Sequence, residues 1–240
     1  MINTTLPLIC TSTDRLQAAG YELQLSHNST MQQGLLPLFP LPLVLFPRTA
    51  LRLHIFEDRY KELIGEVLAG RSEFGIVLAS EKSIASTGCT AVVEKVLERY
   101  PDGRLDILTA GRRRFEILLL NDEKPYLRAS VEFFDDDEPA AELPAGVRER
   151  ALDVYQALRA LDDSAPEAEL QDPQPSFQFS QLVEDLEFRQ RLLRLRSESE
   201  RLRELVEFCG GYLPRQRLIA ALKRVQPLNG HSRFRFPDRA

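Results

Sequence analysis

Four prolines, Pro37, Pro40, Pro42 and Pro47, stand among large apolar residues between Leu35 and Pro47. A proline has no N–H to give a sheet ladder and is not tolerated inside a helix. The stretch is therefore expected to be extended and to lie at a sheet edge rather than in a central strand. Past Arg48, Leu51, Leu53 and Ile55 alternate with Arg52 and His54, the period-two pattern of a half-buried strand. The period then changes. Tyr60, Leu63, Ile64, Val67 and Leu68 recur at helical spacing, with Glu57 or Asp58 as the cap and Gly70 as the stop. A strand feeding one short amphipathic helix, ahead of further strands, predicts a small barrel with a helix closing it.

The strands that follow are short and well punctuated. Phe74–Ala79 is a continuous apolar run. A turn at Gly88-Cys89-Thr90 leads into a strand over 91–100. Pro101-Asp102-Gly103 then makes a hairpin into 104–110, because glycine accepts the positive φ of a tight turn. Gly111 is expected to break that strand, with 113–120 as the next and 126–134 as the last. Phe56 and Tyr60 read as core residues. Closure of such a sheet removes exposed edges.

Asp135-Asp136-Asp137-Glu138-Pro139 ends the sheet region. Three adjacent carboxylates suggest a divalent cation. Without a glycine-turned loop or a partner histidine, a solvated linker is the better reading. Beyond it the pattern is helical. Helices are expected after Pro144, around Phe179–Leu186 and around Leu192–Leu195. Another is expected from a Ser197/Glu200 capping box to Gly210-Gly211, and a last one from Pro214 to Pro227. The resulting organisation is an N-terminal arm (1–34), a β domain (35–134), an acidic linker (135–143), a helical segment (144–227) and a mobile tail (228–240). The arm has weak periodicity and is expected to be poorly structured: either Met31 is the natural start, or the first thirty residues are a loosely attached arm.

Charge and cysteine content exclude several function classes. The net charge is −5, and it is uneven: residues 135–175 carry −9 and residues 176–240 carry +5. No segment has the dense basic surface of a dedicated nucleic-acid binder. Cys10, Cys89 and Cys209 are odd in number and far apart, as are His27, His54 and His231. Neither set has disulfide or metal-ligand spacing, which points to a reducing, cytoplasmic setting without a metal. No apolar run is long enough for a membrane span. There is no phosphate-binding Gly-x-x-x-x-Gly-Lys-Ser/Thr, no Gly-x-Ser-x-Gly and no His-Glu-x-x-His, so no catalytic or cofactor-binding residue is assigned.

Several residues invite a binding role. Arg112-Arg113-Arg114 precede Phe115, and in a regular strand Arg112 and Arg114 share one face. A second basic run (Arg189, Arg191, Arg194, Arg196, Arg201, Arg203) is interleaved with glutamates and reads as salt-laced helix surface rather than a nucleic-acid contact. The candidate ligand contacts are Arg112, Arg114, Leu51 and Leu53.

The order LPLFPLP, LFP and HIFEDRY over residues 36–60 resembles the start of the Lon protease N-terminal domain, a substrate-recognition module. Phe74-Gly75-Ile76-Val77-Leu78, Asp102-Gly103-Arg104 and Gly111-Arg112-Arg113-Arg114-Phe115 extend the resemblance over roughly residues 35–134. It implies an α+β fold: a PUA-like β-barrel (the pseudouridine-synthase/archaeosine-transglycosylase kind) with one closing helix, followed by a C-terminal helical bundle. Lon proteases also carry an ATPase and a serine–lysine peptidase, and neither motif occurs here. The implied function is non-catalytic recognition of exposed hydrophobic segments of unfolded proteins, or of a protein partner. RNA binding is the alternative, because that barrel type serves RNA in other families.

Overall fold

The proline-rich stretch forms β1 (Leu36–Leu41), and contrary to expectation it has a neighbour on each side. It runs parallel to β3 (Phe74–Ala79) from Leu38↔Gly75 to Leu41↔Leu78, and antiparallel to β6 (Arg128–Phe134) at Leu36↔Ala129 and Pro37↔Arg128. The prolines are tolerated because of where their missing N–H groups fall. Leu38 N–H donates to Leu127 O at 2.8 Å on the β6 side. Alternation then turns Pro40 toward β6 beyond the end of that ladder, and Pro37 toward β3 before that ladder begins.

The computed structural model describes residues 34–137, 146–162, 165–169 and 171–225. The expected arm up to residue 33, the linker residues 138–143 and the tail 228–240 lie outside them. The chain divides into two units, one comprising the residues up to Asp137 together with Asp185–Arg196, the other comprising Glu138–Glu184 with Ser197 onward.

The first unit holds the sheet. Its remaining strands are β2 (Ala50–Ile55), β4 (Ile84–Arg99) and β5 (Leu105–Asn121). The strand order is β2-β5-β4-β3-β1-β6, and β5 also pairs with β6, so five strands form a closed ring with β2 beside β5. The breaks expected at Gly88–Thr90 and at Gly111 do not divide strands. Both glycines lie within long strands and serve close approach instead. A Cβ on Gly111 would sit 2.1 Å from the Phe46 carbonyl oxygen, because the 46–49 turn lies against β5. Arg48 N–H donates to Gly111 O (2.8 Å), and Gly111 N–H donates to Thr49 O (2.9 Å). The ring of Phe115 occupies the space over Gly75 and Gly88, within a core of Leu36, Leu38, Val77, Leu120 and Ala129.

Helix α1 (Asp58–Gly70) buries Tyr60, Leu63, Ile64 and Val67, the expected stripe. The Tyr60 ring lies 4.0 Å from that of Phe39 on β1. The left-handed residue that ends the helix is Arg71, not Gly70, and its N–H caps Val67 O.

The second unit contains α2 (Val147–Arg159) and the short α3 (Pro175–Phe179). Between α3 and the next long helix, the chain supplies α4 (Leu186–Arg194) to the first unit. It then forms α5 (Glu198–Val225). Tyr155 stacks on Phe179 at 4.6 Å. Glu198 and Arg201, with essentially no exposure, pair at 2.7 Å and share the Ser176 hydroxyl. Two expected helices, split at Gly210-Gly211 and Pro214, are thus one. A proline crowds the carbonyl of the residue four positions before it, here Gly210, where no side chain adds to the clash.

Candidate functional site

The arginine row was expected to present Arg112 and Arg114 together, and the register prevents it. Cys89 pairs with Arg114 while Ala91 pairs with Gly111, so β5 carries one residue more than β4 between those points. This bulge shifts the alternation. Arg112 and Arg113 are exposed and Arg114 is buried. Arg113 makes a forked contact to the Glu73 carboxylate (3.1 and 3.2 Å) and lies 3.7 Å over the Phe133 ring.

Arg114 is fully occupied inside the first unit. Its guanidinium donates to Leu195 O (2.5 Å), Leu193 O (3.3 Å) and the Asp136 carboxylate (2.6 Å), with the Phe134 ring 4.7 Å away. The carbonyls are those that the end of α4 leaves without intrahelical partners, a natural place for a cation. Asp136, read from sequence as part of a solvated linker, is 8% exposed as the other half of this pair. Arg114 is therefore a tie between β5 and α4, and a ligand has no access to it.

Two more arginines of the second basic run are also not surface charges. Arg189 donates to Val44 O (2.8 Å), with the ring of Phe46 5.3 Å away. Burial lowers its pKa to about 10. Arg201 is completely buried.

The second pair of candidates leads to a more open surface. Leu53 is buried with Ile55, and Leu51 is half-buried, so these side chains face inward from β2. The residues between them, Arg52 and His54, are exposed. His54 Nδ1 lies 2.5 Å from the Asp106 carboxylate, directly across the β2–β5 ladder. Tyr100, placed by the Pro101–Gly103 turn, donates its hydroxyl to the same carboxylate at 2.8 Å. Burial pushes Asp106 up, but the bonds from His54 and Tyr100 outweigh it and hold the carboxyl below its usual range. The same bond pushes Tyr100 up to about 12. Phe56 stacks on His54 with ring centres 5.9 Å apart, and Arg104 lies over the Tyr100 ring at 4.9 Å. Phe56, expected in the core, is 46% exposed. It lies just past the alternating strand, where period-two reasoning stops, and only the long-range pairing of β2 with β5 brings these residues together.

This surface offers an aromatic and hydrogen-bonding patch rather than an evident reaction centre. Among the described residues no cluster has the composition of a metal site. Cys89 and Cys209 are buried free thiols, both pushed up to about 12 by burial, far from a reactive thiolate. No described helix is long and apolar enough to cross a membrane.

Comparison with known proteins decides the family. The family model of the ATP-dependent protease La (LON) substrate-binding domain matches residues 35–209. The chain belongs to this Lon substrate-binding family. The match runs well past the sheet, through α4 and into α5, so the family domain is longer than the 35–134 resemblance. Lon protease of Parabacteroides distasonis is 32% identical over 113 residues, 43% of this chain and 14% of that protein. Lon protease 1 of Hydrogenovibrio crunogenus is 26% identical over 182 residues, 68% of this chain and 22% of that protein. The chain thus spans a small fraction of these curated relatives. Among solved structures, the Lon N-terminal domain protein from Xanthomonas campestris matches with a TM-score of 0.59 and 26% identity, over 72% of this chain and 97% of that one. The N-terminal domain of Mycobacterium avium complex Lon protease shares the fold at a TM-score of 0.55 and 18% identity, over 73% and 98%.

Proposed function

We propose that this Lon-family domain is a non-catalytic recognition module that binds exposed hydrophobic segments of unfolded proteins, or of a protein partner, in the cytoplasm. The observation that carries the reading is the match of residues 35–209 to a domain described as substrate-binding. The side chains it would use are apolar ones left on the sheet unit, Phe56 (46% exposed) and Leu97 (41%) among them. In the same reading the closed ring of strands is a PUA-like barrel with α1 closing it, and the second unit is the C-terminal helical bundle. The RNA alternative loses one of its two candidate arginines, since Arg114 is buried against Asp136, and the neighbouring Arg113 is paired with Glu73.

Binding of a denatured, cysteine-blocked model protein tests the proposal. Apolar burial is worth ~25 cal/mol per Å², so affinity is expected to change little between about 50 and 200 mM salt. Phe56→Ser with Leu97→Ser is expected to weaken it. Tight binding of single-stranded RNA that falls steeply with salt, with no binding of the denatured protein, would replace this reading with the RNA one.

A further inference from the structure

Strand β2 ends the sheet order, and β5 is its sole strand neighbour among the described residues. The phase of its ladder identifies the groups that face outward. Gly111 N–H bonds to Thr49 O, and Thr109 Oγ1 donates to Leu51 O at 2.9 Å, so Thr49 and Leu51 turn their main-chain groups toward β5. Alternation assigns Leu53 and Ile55 to the same side, and leaves the N–H and C=O groups of Ala50, Arg52 and His54 on the open edge. Two of the usual protections of an edge are missing. β2 has no proline, and its register from Ala50↔Ala110 to Ile55↔Leu105 has no shift. One protection is present. Two copies pairing through β2 about a central axis would set Arg52 against Arg52, and like charges directly opposite oppose pairing.

We infer that this edge takes a strand from another polypeptide: an extended segment of unfolded protein adds antiparallel to β2. The inference rests on the recognition reading above and names its geometry. Main-chain hydrogen bonds to Ala50, Arg52 and His54 supply sequence-tolerant affinity, which is what a binder of varied unfolded segments needs. The side chains set a preference by alternation. Residues on the inner face lie beside half-buried Leu51 and favour β-branched apolar groups. On the outer face they lie beside exposed Arg52, which makes no ion pair among the described residues, and favour a carboxylate there. The exposed ring of Phe56, stacked on His54, flanks the end of the edge. The ligand class is a β-prone segment with alternate apolar residues and an acid between them.

The test uses the full chain and a labelled peptide, Val-Thr-Val-Glu-Val-Thr-Val, in two N-methylated forms. Antiparallel addition turns the threonine and glutamate amides toward β2. Methylating those amides is expected to abolish binding, and methylating the valine amides is expected to leave it. Arg52→Pro removes one outward N–H without touching the β5 ladder, and is expected to weaken binding about tenfold, the equivalent of one or two net hydrogen bonds. Arg52→Glu, which keeps the backbone, is expected to remove the preference for glutamate over lysine at the peptide centre. Amide exchange is expected to slow at Ala50, Arg52 and His54 on binding. Equal binding of both methylated peptides, or protection elsewhere, overturns strand addition. So does protein concentration alone protecting the same amides, which would mean that a second copy covers the edge. If the denatured protein still binds in those cases, the recognition reading survives. If neither it nor the peptide binds, both fall.

Discussion

Arg114 on β5 and Asp136, two residues beyond the end of β6, form an ion pair at 2.6 Å with side chains 2% and 8% exposed. The same guanidinium closes the carbonyl end of α4, so one side chain joins three chain segments far apart in sequence. Removing one partner of such a pair leaves the other charge buried, which costs more than the pair itself contributes. Arg114→Ala is expected to destabilise the protein by about 3–5 kcal/mol. The double variant Arg114→Met with Asp136→Leu is expected to lose much less, because no orphan charge remains. Denaturant titration of the two variants checks this, and equal losses would show that packing rather than charge sets the cost.

Two glycines give a contrast within one unit. A Cβ at Gly111 meets a backbone oxygen at 2.1 Å, whereas at Gly65, within α1, it meets nothing within 4 Å. Gly111→Ala must push the 46–49 turn away from β5 and is expected to cost about 2–4 kcal/mol. Gly65→Ala is expected to stabilise by about 0.5–1 kcal/mol, from helix propensity alone. Thermal melts of both should move in opposite directions.

The acid limb of stability has a defined sign. Hydrogen bonds from Lys124 and Tyr126 hold Glu66 below its ordinary range, and those from His54 and Tyr100 do the same for Asp106 against the effect of burial. Both carboxylates bind protons more readily in the unfolded chain. Their contribution is therefore present above the unfolded value of about 4 and is lost as pH falls through the lower folded values. Asp106→Asn with Glu66→Gln is expected to lower stability at neutral pH and to flatten its fall between about pH 5 and 2. A parallel fall in the parent and the variant would show that other groups set the limb.

Local periodicity made some of the elements legible, while strand continuity across Gly88 and Gly111 and the long-range pairing remained hidden. The α1 stripe from Tyr60 to Val67 and the Pro101–Gly103 turn are short-range patterns, and both stand in the structure. Family membership was legible for a different reason, because its motifs lie in contiguous stretches. The edge assignment of β1 failed because a proline matters only on the side its N–H would face, and that depends on where β3 and β6 stop. The role of Arg114 failed because a bulge against β4 shifts the alternation by one residue. Phe56 was misplaced because it follows the strand, where alternation no longer assigns a face, and its ring stacks on exposed His54 instead of entering the core. Gly111 read as a breaker because sequence does not show that the 46–49 turn lies on it.

The same reasoning revises where this domain ends. A fragment of residues 34–137 contains every strand among the described residues, and the contiguous β resemblance makes it look self-sufficient. It lacks Asp185–Arg196, which the structure groups with the sheet. Without α4, Arg114 loses the Leu193 and Leu195 carbonyls, and Thr87 O and Val44 O lose Gln190 and Arg189. Phe188, Leu192 and Leu193, buried on a helix grouped with the sheet unit, are lost with it. At ~1.5–3 kcal/mol for each large apolar side chain, that loss rivals the whole stability of a small domain. Residues 34–137 alone are expected to be insoluble or to melt far below the parent. Adding a peptide of residues 185–196, or fusing it through a flexible linker, is expected to restore a cooperative melt. If the fragment alone melts like the parent, α4 is an accessory to the sheet, and the family domain's extension to residue 209 needs another reason.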